Sequence, residues 1–373
     1  MRSSVATPCS SRFQALPNRP EIATATLRAL AARQGRVDDP ETEEQPGRIL
    51  HEDRPIAPRW LVDLDWPVRG GALRYYGSSD ATSWFLVVLD ATRDEALARE
   101  LREARLAAAG WLVRALTDGG GLIRSGPRTF TGGLAQQGWR DALDPAYDQH
   151  GGGIVRLDGS TPAAPLADAD SQAVAVAALD ALTRLDPAAA HHRSAVAATL
   201  RARIEATFVP DVLAVEGDGT PVPGAGSHLG WLLWADALSP GAARVAAQRL
   251  IAPDVLTAYG VRTLASTHPA FLAHGYHRGA VWPHDCWLSW GGLRAAGCVE
   301  AAERVREGVR RAVATLGDFP ELYAVSSEGE LHALPIANRV QAWTVGAMRA
   351  FDLDLGRPDL GRPDLGRQGA LRP

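Results

Sequence analysis

The strongest constraint on the fold is a repeated pairing of two kinds of helical segment. A mostly apolar stretch follows a long loop, and a short turn then leads to a stretch decorated with Arg and Glu. Ser83 to Leu89 (SWFLVVL) is apolar on almost every side, whereas Glu95 to Arg105 (EALARELREAR) shows a single apolar stripe. A helix apolar all round belongs in an interior, and one with a single stripe belongs on an outer layer. Short turns make antiparallel neighbours, so the repeat describes a ring of helical hairpins.

About ten segments have the helical period, at 21–34, 80–93, 95–117, 170–185, 191–207, 226–237, 240–250, 282–296, 299–316 and 338–352. Almost nothing alternates as a strand would. The predicted class is all-α, an (α/α)6 six-hairpin toroid with about ten of its twelve helices visible. The inner helices start near 80, 170, 226, 282 and 338, and the outer ones near 21, 95, 191, 240 and 299. The missing pair would adjoin where the ring closes, which predicts an opening between the helix near 338 and the helix near 21. Residues 1–20 read as an irregular segment, 21–352 as the helical domain, and 353–373 as a low-complexity, disordered tail built on a Leu-Gly-Arg-Pro-Asp repeat.

A net charge of -4 from 39 basic and 43 acidic residues gives no reason to expect a nucleic acid or an anionic membrane as partner. Every basic residue is Arg, which removes lysine chemistry such as Schiff bases. Cys9, Cys286 and Cys298 have no metal-ligand spacing, residues 1–20 contain no apolar run long enough for a signal h-region, and no later stretch has the length of a membrane span. The expectation is a cytoplasmic protein without a metal or cofactor, and one able to self-associate through the open edge of its ring.

The unusual polar residues lie in the long loops at the starts of inner helices. Five stretches stand out: 74–82, 137–141, 168–172, 276–285, and 319–323 with 341–343. A loop carboxyl in such a place caps a helix, pairs with an Arg, or works on a substrate. Hydrolysis of a glycosidic bond needs two carboxyls, one to protonate the leaving oxygen and one to act as base or nucleophile. Asp141, beside Trp139 and Arg140, and Glu321, between Pro320 and Leu322, are the candidates, while Asp63 and Asp65 form a weaker pair. Composition and spacing leave these readings open.

Several strings carry a resemblance: GRILHE (47–52), YYGSSDAT (75–82), GWRDALD (138–144), YGVRTLA (259–265), YHRGAVWPHD (276–285), and FPELY (319–323) with the later QAW. In that order they are similar to segments of bacterial amylo-alpha-1,6-glucosidase-like proteins, including their GWKDS and LPELF...PQAW pieces. The resemblance implies a glycogen-debranching-type hydrolase of α-linked glucose or a short α-glucan. It implies Asp141 as general acid and Glu321 as general base of an inverting reaction. It also implies sugar subsites shaped by Tyr76, Asp80, Trp139, Arg140, Gln172, His277, Trp282, His284, Asp285 and Trp343. The family's Arg-Asp inner helix has no counterpart here, and its NPGH segment appears as Ala225-Gly226-Ser227-His228. Two further readings share the architecture. One is a glucan-binding module without turnover, and the other a sugar 2-epimerase using His277 and His284.

Overall fold

The computed structural model describes residues 13–14, 16, 19–126, 132–143 and 152–355. The chain opens with α1 (Pro20–Ala31) and then a small flap, in which β1 (Glu52–Arg54), the short α2 (Arg59–Asp63), β2 (Val68–Arg69) and β3 (Ala72–Tyr75) form an antiparallel sheet in the order β1-β3-β2. Next come α3 (Ala81–Ala91), α4 (Glu95–Glu100) and α5 (Arg102–Asp118), β4 (Ala167–Asp168), α6 (Ala169–Leu185), and α7 (Ala190–Phe208). β5 (Val212–Val215) and β6 (Pro221–Pro223) join β4 in a second three-stranded sheet. Then follow α8 (His228–Trp234), α9 (Pro240–Leu250), the β7–β8 hairpin (Leu256–Thr257, Gly260–Val261), α10 (Pro283–Ala295) and α11 (Val299–Leu316). The β9–β10 hairpin (Tyr323–Val325, Leu331–Ala333) and α12 (Ala342–Asp352) complete the order.

The structure is an all-α toroid of six-hairpin type, and each of the ten segments read from the sequence is helical. Inner and outer roles follow the predicted hydrophobicity. All residues of α8, Ala81–Asp90 of α3, and Pro283–Leu293 of α10 are buried. In α11 only Ala301, Ala302, Val305, Gly308, Val309, Ala312 and Val313 are buried, the spacing of one helical stripe. Local chemistry sets the ends: Pro20, Pro240 and Pro283 stand at helix starts, Asp168 and Ser239 cap α6 and α9, and Gly317 closes α11 in the left-handed region at φ 71°. The inner pair α8 and α10 comes into close contact because Gly292 has no side chain: a Cβ there would lie 2.7 Å from the Leu233 Cβ and the Trp234 nitrogen.

The short strands were not legible beforehand. Each runs for two to four residues in a loop, too few to show alternation. Residues 13 and 14 also differ from the irregular segment expected. Both are helical and buried, with the Phe13 ring 6.4, 5.9 and 5.7 Å from those of Trp84, Trp234 and Trp287 and the Gln14 side chain against Gly346. They stand between α12 and α3, where a sixth inner helix would start. An aromatic ring among three indoles buries enough apolar area to hold such a segment. The tail from residue 356 lies outside the described residues, and no helix among those described is long and apolar enough to cross a membrane.

Phe13 is therefore expected to be structural. Phe13→Ala should lower unfolding free energy in urea by about 3–5 kcal/mol, the cost of emptying a packed aromatic site, and a loss under about 1 kcal/mol would show that the ring does not depend on this plug.

Candidate active site

The hairpin order places the N-terminal ends of all inner helices, and the loops before them, at one end of the ring. The loop of residues 132–143 is held there by its neighbours. Leu134 N–H donates to the Tyr75 hydroxyl (3.1 Å), the Gln136 side chain exchanges two hydrogen bonds with Ile154 (2.8 and 2.6 Å), and the Gln137 amide donates to Glu43 (2.7 and 2.8 Å). Gly138 lets the chain pass over Asp168, where a Cβ would sit 2.6 Å from the carboxylate.

Arg140 is almost wholly buried, and each guanidinium nitrogen is taken. Nε pairs with Asp170 (2.8 Å), one terminal nitrogen donates to the Thr263 carbonyl (2.8 Å), and the other donates to Ser227 Oγ (2.8 Å). The Ser227 hydroxyl in turn donates to Asp285 (2.5 Å), which also accepts from the Trp231 indole (3.1 Å). With Arg140 fixed beneath, Asp141 emerges at the mouth with its side chain 30% exposed. One carboxyl oxygen is 3.7 Å from His277 Nε2 and the other 4.0 Å from His51 Nε2.

Glu321 is buried and accepts three hydrogen bonds, from the Tyr276 hydroxyl (2.7 Å), the Asn338 backbone N–H (3.0 Å) and the Asn338 side-chain amide (2.8 Å). Its loop is tied to the head of α12, where Thr344 donates to the Pro320 carbonyl (2.6 Å) and the Trp343 indole to the Glu321 carbonyl (3.3 Å). Trp139 meets Trp282 and Trp343 edge to face at 5.2 and 5.8 Å, so an aromatic wall stands beside the two carboxyls. The Trp139 indole N–H is buried without a partner.

Asp141, Glu321, Trp139, His277, Trp282 and Trp343 thus come together. His284 and Asp285 lie one layer deeper: His284 is packed 4.7 Å from Trp139 and 5.6 Å from Trp231, and burial pushes it down to about 3. Burial likewise raises Asp285 to about 6. Three of the residues expected to shape sugar subsites, Arg140, Tyr76 and Gln172, make hydrogen bonds inside the protein. Arg140 braces the ring. The buried Tyr76 donates to the Arg33 carbonyl (2.8 Å), and Gln172 exchanges hydrogen bonds with the Ile123 backbone (2.8 and 2.9 Å). The resemblance singled them out, and their burial is not encoded in any loop motif. Missed were His51, Tyr276 and Asn338. The first two lie in quoted motifs, so only their direction was hidden, and Asn338 had no signal.

A family model for the mannosylglycerate hydrolase MGH1-like glycoside hydrolase domain matches residues 20–327. The chain belongs to this glycoside hydrolase family. Both Asp141 and Glu321 fall inside the matched span, whereas Trp343 lies beyond it. Among solved structures, GH63 mannosylglycerate hydrolase from Thermus thermophilus in complex with Tris and D-glycerate is similar at 17% identity, 92% coverage of each chain and a TM-score of 0.65. The same enzyme in complex with glucose is similar at 18% identity, 92% coverage of each chain and a TM-score of 0.63. These likenesses show the fold. No curated protein sequence matches.

Asp80 gives the site a measurable pH signature. It is buried, one oxygen accepts from Ser78 (2.8 Å) and the other has no partner, and burial, with Asp168 and Asp141 nearby, raises it to about 7. Since its folded value lies above the ordinary one, its contribution to stability is complete below about pH 4 and is lost as pH rises through about 7. Asp80→Asn cannot ionise, so its urea midpoint should gain on that of wild type between about pH 4 and pH 8. A difference independent of pH would mean that Asp80 ionises in the fold as easily as in water.

Proposed function

We propose that the protein hydrolyses an α-glycoside with inversion, Asp141 acting as general acid and Glu321 as general base. The observation that carries this reading is that one dipeptide, Tyr276–His277, touches both carboxyls beside an aromatic wall. Glu321, oriented by Tyr276 and Asn338, takes a proton from a water as the water oxygen attacks the anomeric carbon. The bond from that carbon to the leaving oxygen breaks, and Asp141 gives its proton to that oxygen. The roles require the carboxyls to stand about 6.5–9.5 Å apart, leaving room for the water. Burial lowers His51 below the ordinary imidazole range, which favours the neutral ring beside Asp141.

For the substrate, the family match favours a hexose α-linked to a small acceptor, of which mannosylglycerate is the type. The amylo-alpha-1,6-glucosidase reading, with a branched α-glucan as substrate, rests on the motif strings from GRILHE to QAW. A panel containing mannosylglycerate, short α-glucosides and a 1,6-branched glucan separates the two by which member releases free sugar.

Each of Asp141→Asn and Glu321→Gln keeps shape and should lower kcat by at least about a hundredfold. An α-glycosyl fluoride needs little protonation at its leaving group and should largely restore Asp141→Asn but not Glu321→Gln. Equal loss on both substrates would sink the assignment of roles. Wild-type protein that binds a member of the panel and releases no sugar would favour a non-catalytic module, and interconversion of free sugars would favour an epimerase.

A further inference from the structure

We propose that Tyr276 and His277 are positioning residues, a rigid spacer that sets the separation of Asp141 and Glu321, with Trp282 as its lock. This rests on the acid and base roles given above. Two adjacent side chains, their rings packed edge to face at 4.9 Å, each meet one carboxyl: the Tyr276 hydroxyl donates to Glu321 Oε1 (2.7 Å), and His277 Nε2 faces Asp141 Oδ1 (3.7 Å). The two carboxyls are therefore bridged by a pair of packed rings on adjacent residues.

Trp282 removes the freedom of that unit three times over. Its indole N–H donates to the Tyr276 carbonyl (2.7 Å), its face stacks on the His277 ring at 5.0 Å and 7°, and its edge meets the Tyr276 ring at 4.7 Å and 85°. Trp282 is 2% exposed and is the residue before Pro283, the first of α10, so the spacer is mounted on an inner helix. The preceding Val281 exchanges backbone hydrogen bonds with Tyr323 (2.8 and 3.0 Å), two residues after Glu321. The base and its spacer are thereby tied a second time. Asp141 is flanked by the two imidazoles, with the buried Arg140 behind it and Ala142 after it bonded to the Ala135 and Gln136 backbone (2.8 and 3.3 Å).

The spacing of two carboxyls decides whether a water fits between base and anomeric carbon, so a fixed spacer acts on kcat more than on binding. Tyr276→Phe removes the donor to Glu321, His277→Gln removes the imidazole beside Asp141, and Trp282→Phe removes the lock; all three are made in the full-length chain. Tyr276→Phe should lower kcat about tenfold to a hundredfold with KM within about twofold, and the loss should persist on an α-glycosyl fluoride. His277→Gln should lose similarly on the natural glycoside and recover on the fluoride, while Trp282→Phe should lose on both. Crystal structures of the variants supply a readout free of turnover. Glu321 should be displaced alone in Tyr276→Phe, Asp141 alone in His277→Gln, and both in Trp282→Phe. A rise in KM with kcat unchanged would make these residues sugar contacts and overturn the spacer, as would variant structures with both carboxyls in place. A wild-type enzyme without turnover would remove the acid–base reading, and the displacement pattern alone would then decide the spacer.

Discussion

The ring is organised at its mouth by one buried cation. Arg140 meets Asp170 on α6, Ser227 before α8 and the Thr263 carbonyl, and through Ser227 it reaches Asp285 on α10. Four segments far apart in sequence are thus oriented by three guanidinium nitrogens and a hydroxyl. A buried charge without its partner is strongly destabilising, about 3–5 kcal/mol, so the geometry of these segments is tightly specified even where the pair adds little net stability. Arg suits the place because its planar fork serves several acceptors at fixed angles and keeps its charge when buried.

The neighbours of Arg140 in sequence inherit that rigidity. Trp139 and Asp141 flank a residue that cannot move, so one is pressed against the aromatic wall and the other is presented to solvent. Glu321 reaches the same mouth by a different route, through Thr344 and Trp343 at the head of α12 and through Asn338. Two carboxyls come from distant loops into unlike surroundings, one 30% exposed between imidazoles and the other buried under three donors. The separate acid and base roles proposed for them need such a difference.

The aromatic residues serve two purposes at different depths. Trp84, Trp231, Trp234 and Trp287 fill the ring's interior with Phe13 and His284. Trp139, Trp282 and Trp343 stand above them at the mouth. Their indole nitrogens show the distinction: those of Trp282 and Trp343 donate to backbone carbonyls that fix the site, and that of Trp139 has no partner.

The helical hairpins and their inner or outer place were legible in the chain, because amphipathic period is a local property. SWFLVVL had to be interior wherever it packed, whereas the Asp and Glu of GWRD and FPEL were singled out by resemblance of the strings around them. Other features depended on partners distant in sequence. Arg140 looks like a ligand-binding residue until Asp170 and Ser227 surround it, and Gln172 looks free until it pairs with the Ile123 backbone. Phe13 looked like part of a polar lead segment until three indoles enclosed it. Sequence alone determined which helices form and which face each must hide, since burying apolar area is a demand each segment carries with it. Only the tertiary structure decided which polar groups remained free at the mouth, because a hydrogen bond needs a partner within about 3 Å and sequence does not give that distance.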